Sequence, residues 1–406
     1  MKVYLVGGAV RDQLLGYPVK ERDWVVVGAT SQEMLALKYQ QVGRDFPVFL
    51  HPITHEEYAL ARTERKIGPG YLGFHCDFNP EVTLEEDLAR RDLTINAMAL
   101  DEDKKLIDPY HGQDDLHAKL LRHVSSAFVE DPVRVLRVAR FAARYHHLGF
   151  KLADETRLLM YKMSKSGELE ALVAERVWQE WQRSLQERNP EVFISTLRSC
   201  GALQEILPEI DALFGVPNTP KYHPEIDSGV HTLMVLGMAV KLSSDPMIRF
   251  AALMHDLGKA LTPMSIWPSH HCHEERGLDV ILKVCQRYKV PNDYRQLALM
   301  ACRFHLKIHR LNEMKASTIV GVLEATDAFR RGQLFEKLLL ICESDARGIG
   351  KTEINYPVAN IWRHLLAECG KINAKSLVAD GYEGEAIKQG LHQLRVKCVQ
   401  QIIGEK

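Results

Sequence analysis

The sequence predicts an α+β protein, with a small sheet and helices over residues 1–115 and helices alone thereafter. Three observations carry this. Short β-branched runs at 3–6, 24–27 and 58–61 are confined to the first part, separated by helical patterns and Gly/Pro turns. Through 116–215 the apolar spacing is helical, with Trp178 and Trp181 three apart and facing a core. A proline-rich connection (Pro208, Pro217, Pro220, Pro224) then leads into further helical patterns, which from about 330 are amphipathic and carry no motif. A chain of 406 residues has ample core for several domains. We place them at 1–115, 116–215, 216–330 and 331–406.

Composition narrows the classes. Hydrophobic content of 46% and charged content of 26% suit a folded, soluble chain. The net charge of -1 gives no global signature for nucleic acid, so any such surface is local. One is visible: residues 119–165 carry ten Lys/Arg against four acids, whereas 166–230 carry five against eleven. Eight scattered cysteines without a C-x-x-C pair point to reduced thiols in a cytosol. No leader pattern is visible, and no apolar run approaches the ~18 residues that span a bilayer. A cytoplasmic protein without membrane contact is expected.

The first strand ends in Gly7-Gly8, and a helical pattern over 9–15 closes at Gly16. A strand–Gly-Gly–helix turn allows close backbone approach to a phosphate, with free N–H groups at the helix start. The second run opens with Glu21 and Asp23. On a strand, positions i and i+2 share a face with Cα atoms about 6.7 Å apart. Together these features suit the Mg²⁺ complex of a nucleoside triphosphate, and hence nucleotidyl transfer. Each alone also reads as a tight turn or a solvated strand edge. The basic, then Gly/Pro-rich segment 62–73 reads as a loop beside this site.

Arg90-Arg91-Asp92 precedes Leu93-Thr94-Ile95-Asn96, and a guanidinium fork there would neutralise triphosphate oxygens. Glu130-Asp131-Pro132 then opens a helix whose arginines at 134, 137, 140 and 144 fall within an arc of about 120°. With no acid among them they repel one another, which suggests a bound anion.

Gly7-Gly8-x-x-Arg11-Asp12, Glu21-x-Asp23, Arg90-Arg91-Asp92 with Asn96, and Glu130-Asp131-x-x-Arg134-x-x-Arg137 occur in one order. In this the chain resembles the class II tRNA nucleotidyltransferases, the CCA-adding enzymes of bacteria and eukaryotes, in their gammaproteobacterial arrangement. The resemblance implies a polymerase-beta-like head with a small mixed sheet, followed by an all-α neck, HD domain and tail, and an active site between head and neck. It implies Mg²⁺ on Glu21 and Asp23, triphosphate contacts from Gly8, Arg11, Arg91, Arg137 and Arg140, and base contacts from Asp131 and Arg134. Most of the family has Asp where this chain has Glu21, which is still a hard oxygen ligand. The implied reaction is attack of a tRNA 3′-hydroxyl on ATP or CTP with release of pyrophosphate. Cytosine and adenine both present an amino donor beside a ring-nitrogen acceptor, which an Asp and an Arg complement.

A second constellation follows: His231, His255-Asp256-Leu257-Gly258-Lys259, His270, His271, His273, His305 and His309. It resembles the HD phosphohydrolase superfamily. The resemblance implies Ni²⁺ or another divalent transition metal on His231, His255 and Asp256, with phosphatase, 2′-nucleotidase and 2′,3′-cyclic phosphodiesterase activity. Asp327 and Asp345 are the candidates for the last ligand. The expected partners are tRNA, ATP and CTP, and the expected state a monomer, with dimers as the alternative. Two other readings are a bacterial poly(A) polymerase, and an HD phosphohydrolase whose inactive head binds RNA.

Overall fold

The computed structural model describes residues 1–19, 21–42, 48–66, 74–219, 227–349 and 355–404. It separates into two compact units, Met1–Ile206 and Leu207–Lys406. The sequence-derived division into four parts is finer than this. The 67–73 part of the expected loop and the connection through Pro220 and Pro224 fall outside the described residues.

In unit 1, eleven strands are described: β1 (Lys2–Val6), β2 (Asp23–Val27), β3 (Gln40–Gln41), β4 (Val48–Leu50), β5 (Glu57–Leu60), β6 (Thr63–Lys66), β7 (Phe74–Asp77), β8 (Ala99–Leu100), β9 (Leu106–Ile107), β10 (Leu120–Leu121) and β11 (Lys151–Leu152). Seven form one sheet in the order β3-β4-β5-β2-β1-β8-β9, in which only the β2/β5 pair is parallel. The sheet is therefore mixed, as expected. Period-two alternation sends Val25 to one core, with Val6, Leu88 and Ala99, and Val26 to another, with Met34, Phe49 and Leu60. Antiparallel pairing sets Val6 opposite Asp23, so the Gly7-Gly8 turn and the Asp23 carboxylate emerge at the same end of the sheet. The strand begins at Asp23, however, and Glu21 lies in the segment before it. The i, i+2 strand argument thus does not apply to that pair.

Between β7 and β8 lies a short helix, Leu84–Ala89, opened by a Thr83/Glu86 capping box. Pro132 ends up as the cap of Val133–Tyr145 rather than its first residue. Helices Asp154–Lys165, Ala174–Gln186, Pro190–Ser199 and Ala202–Ile206 complete this unit, with Trp178 and Trp181 buried edge to face.

Unit 2 is helical among its described residues. Helices Ser228–Leu242, Pro246–Met254, His273–Arg287, Asn292–His309 and Gly332–Arg347 pack around one centre, and Val358–Gly370 and Glu385–Ile403 follow. Gly258 is required by contact: a Cβ there would meet the His273 carbonyl at 1.9 Å and the Gly277 nitrogen at 2.7 Å. This glycine lets the turn after His255-Asp256 press onto helix His273–Arg287, which delivers His273 to the same place.

Candidate active sites

Unit 1 holds a cavity of about 1110 Å³ whose lining includes Gly8, Arg11, Glu21, Asp23, Arg91, Asp131, Arg134, Arg137 and Arg140. Residues separated by more than a hundred positions are thus brought together. Gly7 adopts φ +68°, and its missing side chain leaves room for Arg91 Nη1, which a Cβ would meet at 2.7 Å. Arg91 is held from behind by buried Asp87 (3.1 Å), which also pairs with Arg90.

The arginine arc differs from its expectation. Three of its four arginines are ion-paired, each to an acid far away in sequence. Arg137 Nε donates to Asp92 (2.8 Å), Arg140 Nε to Glu180 (2.6 Å), and Arg144 Nη2 to Asp12 (3.2 Å). Arg11 donates to Asp12 (2.9 Å) and to the Asn96 side-chain oxygen, and lies against the rings of Phe141 and Tyr145. Asp92 is buried; desolvation alone would raise its carboxyl, but the Arg137 charge and the Asn96 and Arg137 hydrogen bonds hold it well below the usual range.

Asp131 and Arg134 line the cavity, each with its own support. Asp131 receives a two-pronged bond from Arg176 (3.1 and 2.7 Å) and caps Val133 N–H (3.2 Å). Buried Arg134 donates to the carbonyls of Ala127 and Arg90. Arg176, Gln179, Glu180 and Arg183 come from one face of Ala174–Gln186 and all reach the cavity. The sequence reading missed them, although their i, i+3, i+4, i+7 spacing was the available signal.

Against this paired background, no hydrogen bond or ion pair among the described residues engages the side chain of Glu21 or Asp23. Burial raises the Asp23 carboxyl above its ordinary value, Arg91 opposes the shift, and the neighbouring Glu21 adds to it. Two oxygen donors without an ion-pair partner among the described residues, one of them penalised as an anion by burial, fit a hard divalent ion.

In unit 2, His231, His255 and Asp345 form one group of converging ligand atoms, and Asp256, His273 and His305 a second. Asp345 Oδ1 lies 2.9 Å from His231 Nε2 and 3.7 Å from His255 Nε2. Of the two candidates for the last ligand it is therefore Asp345, not Asp327, that joins the site. Asp256 faces both groups, with Oδ2 at 3.2 Å from His255 Nε2 and Oδ1 at 3.2 Å from His273 Nε2. Lys259 Nζ neutralises it at 2.7 Å. His273 and His305 could not be singled out beforehand, because the sequence offers seven histidines after His255 and no distance to choose among them. His270 instead bonds Thr262 and the Pro217 carbonyl, and His271 is exposed.

The donor set fits a transition metal. His255, His273 and His305 each bond a backbone carbonyl through Nδ1 (Ala252, His270 and Ala301/Cys302, at 2.8–3.1 Å). A carbonyl only accepts, so each Nδ1 carries a proton and Nε2 is the ring atom turned inward. The Nε2 atoms of His273 and His305 approach each other to 3.2 Å. His255 Nε2 and Asp256 Oδ1 are buried without a hydrogen-bond partner. Burial holds His305 neutral, its value falling to about 3; burial also opposes charge on His255, but Asp256 and Asp345 overcome it and raise that ring to about 10.

Comparison with known proteins gives three family matches: residues 3–122 to the Poly A polymerase head domain, 149–214 to the probable RNA- and SrmB-binding site of polymerase A, and 229–332 to the HD domain. Asp345 lies beyond the last of these. A protein of Legionella pneumophila subsp. pneumophila (strain Philadelphia 1) named Multifunctional CCA protein is 65% identical over 403 residues, which is 99% of this chain and 98% of that one. Its namesake in Thioalkalivibrio sulfidiphilus is 61% identical over 406 residues, covering 100% and 99%. The solved structure of the Thermotoga maritima CCA-adding enzyme complexed with tRNA superposes with a TM-score of 0.64 over 99% of this chain and 90% of that chain, at 20% identity, a likeness of fold. Among the described residues no helix is long and apolar enough to cross a membrane.

Proposed function

This chain belongs to the family of multifunctional CCA proteins, and on that premise we propose that unit 1 adds C, C and A to the 3′ end of tRNA without a nucleic-acid template. CTP and ATP are the donors and pyrophosphate the leaving group. The observation that carries the reading is the pair Glu21 and Asp23, which have no ion-pair partner among the described residues at the foot of the Gly7-Gly8 turn, while the neighbouring acids Asp12, Asp87 and Asp92 are ion-paired. These two would hold Mg²⁺, which when bound would lower the charge on the triphosphate and activate the attacking hydroxyl.

The chain's own residues supply the rest. Gly8 allows close approach of a phosphate, and Arg11, Arg91, Arg137 and Arg140 surround it with positive charge on buried, hydrogen-bonded supports. Asp131 accepts the amino proton of cytosine or adenine, and Arg134 donates to the adjacent ring nitrogen. Guanine and uracil present a carbonyl and an N–H in those places and are refused. Arg176 holds the Asp131 carboxylate in place, and a carboxylate retains lone pairs for the base after two such bonds.

Purified protein with Mg²⁺, a tRNA lacking its last three nucleotides, and the four triphosphates singly and together tests this reading. The expected product carries two C and one A and grows no further. Incorporation of A alone would instead assign the chain to poly(A) polymerase chemistry.

For unit 2 we propose a metal-dependent phosphohydrolase with phosphatase, 2′-nucleotidase and 2′,3′-cyclic phosphodiesterase activity. His231, His255 and Asp345, with Asp256, His273 and His305, would hold Ni²⁺ or another divalent transition metal, which when bound would supply a water nucleophile near neutral pH. Lys259 keeps Asp256 ionised for this role. Release of phosphate from a 2′-nucleotide and opening of a 2′,3′-cyclic nucleotide, both abolished in His255→Ala, are the expected results.

A further inference from the structure

The carboxylate of Asp345 has two oxygens, and only Oδ1 faces His231 and His255. Its Oδ2 accepts from His309 Nε2 at 2.8 Å, and His309 Nδ1 lies 2.9 Å from the Tyr356 hydroxyl. Protonation logic fixes the direction. A carboxylate only accepts, so His309 Nε2 must carry a proton; in the neutral ring Nδ1 is then the acceptor and the Tyr356 O–H donates to it. The reverse tautomer would set a lone pair against the carboxylate.

Tyr356 is itself held in place. It stands just before helix Val358–Gly370, whose fully buried Trp362 donates to the carbonyl of Ile308, one residue before His309. The same indole packs edge to face on Phe335 of helix Gly332–Arg347, the helix that bears Asp345. Tyr356, His309 and Asp345 are thus tied to three helices at their point of convergence.

We infer that Tyr356 and His309 are positioning residues that lock the Asp345 carboxylate with Oδ1 toward the metal, so that the segment beyond the HD match completes the hydrolytic site. The inference rests on reading unit 2 as a metal-dependent hydrolase. Tyr356 bonds His309 rather than a proposed ligand, and the His309 ring also packs edge to face on that of His305 (centroids 6.3 Å). Outer hydrogen bonds of this kind fix ligand orientation and are worth roughly 10–100-fold in metal affinity.

The test is Ni²⁺ titration of the full chain by calorimetry, taking as the site's signal the heat that disappears in His255→Ala. Tyr356→Phe and His309→Ala are expected to weaken that binding by about tenfold and by up to about a hundredfold respectively. His309→Gln, which can restore an N–H to Oδ2, is expected to regain part of the loss. The melting temperature of the metal-free protein should stay within a few degrees for Tyr356→Phe. Unchanged Ni²⁺ affinity in both variants would overturn the inference while leaving the hydrolase reading intact. A wild-type protein with no His255-dependent Ni²⁺ binding would overturn the hydrolase reading itself, and the inference with it.

Discussion

Asp131 and Asp92 show how single carboxylates in this chain are set by residues far away in sequence. Arg176, 45 positions on, grips both oxygens of Asp131. Loss of hydrogen bonds to a charged group costs about 1.5–3 kcal/mol, so we expect Arg176→Ala to lower kcat/KM for CTP by roughly ten- to a hundredfold. Asp131→Ala should in addition blur the choice among the four triphosphates, and unaltered discrimination in that variant would remove Asp131 from base reading. Asp92 makes a separate prediction. Its folded value lies below the unfolded value of about 3.9, so its ionisation stabilises unit 1 above that pH, and the contribution fades as pH falls toward the folded value. The urea midpoints of wild type and Asp92→Asn should therefore differ most at pH 7 and converge below about pH 4. A difference independent of pH would assign the effect to packing. None of these pairings was legible beforehand: the arginine helix announced positive charge, but its counter-charges Asp92, Glu180 and Asp12 lie 40 to 132 residues away. One-dimensional spacing reports neighbours on a helix and is silent about partners across a fold.

Elements were more legible than their contacts, because periodicity and turn chemistry are local. The strands at 3–6 and 24–27 and the helix carrying the four arginines stand where β-branching and 3.6-residue spacing put them, to within a residue or two. Glu21 shows the limit, since an alternation rule cannot say on which residue a strand begins. Gly258 shows another. The sequence offers His255-Asp256-Leu257-Gly258-Lys259 as a motif but gives no reason for the glycine, which only the 1.9 Å approach of the His273 carbonyl supplies. Gly258→Ala would force helix His273–Arg287 outward, at a cost of about 1–3 kcal/mol by the usual penalty for overpacking, and would pull His273 from the ligand group. Gly321 is the control: it is helical with open space around its Cβ position, and Ala there is expected to stabilise by about 0.5–1 kcal/mol. Chemical denaturation of both variants checks the pair. Equal and opposite outcomes of similar size would show that contact at Gly258 is softer than the distance implies.

Over the whole molecule, the division at Ile206 and Leu207 leaves each unit with its own core and its own ligand-bearing cluster. Every residue proposed for nucleotidyl transfer lies before the division, and every residue proposed for hydrolysis lies after it. The two chemistries also ask for different ions: hard oxygen donors at Glu21 and Asp23, and mainly imidazole nitrogens in unit 2. Two losses should therefore be separable. Asp23→Ala is expected to reduce C and A addition by at least about a thousandfold, in line with a change of several kcal/mol in transition-state stabilisation, and to leave opening of a cyclic phosphate within about twofold of wild type. His255→Ala should do the reverse. Ion selection gives the same separation without mutation: a chelator chosen to strip transition metals in excess Mg²⁺ should silence hydrolysis and spare transfer. If His255→Ala also removed transfer while the protein kept its melting temperature and far-ultraviolet dichroism, the second cluster would belong to the transferase, and its imidazoles would have to be assigned to tRNA rather than to a hydrolytic metal.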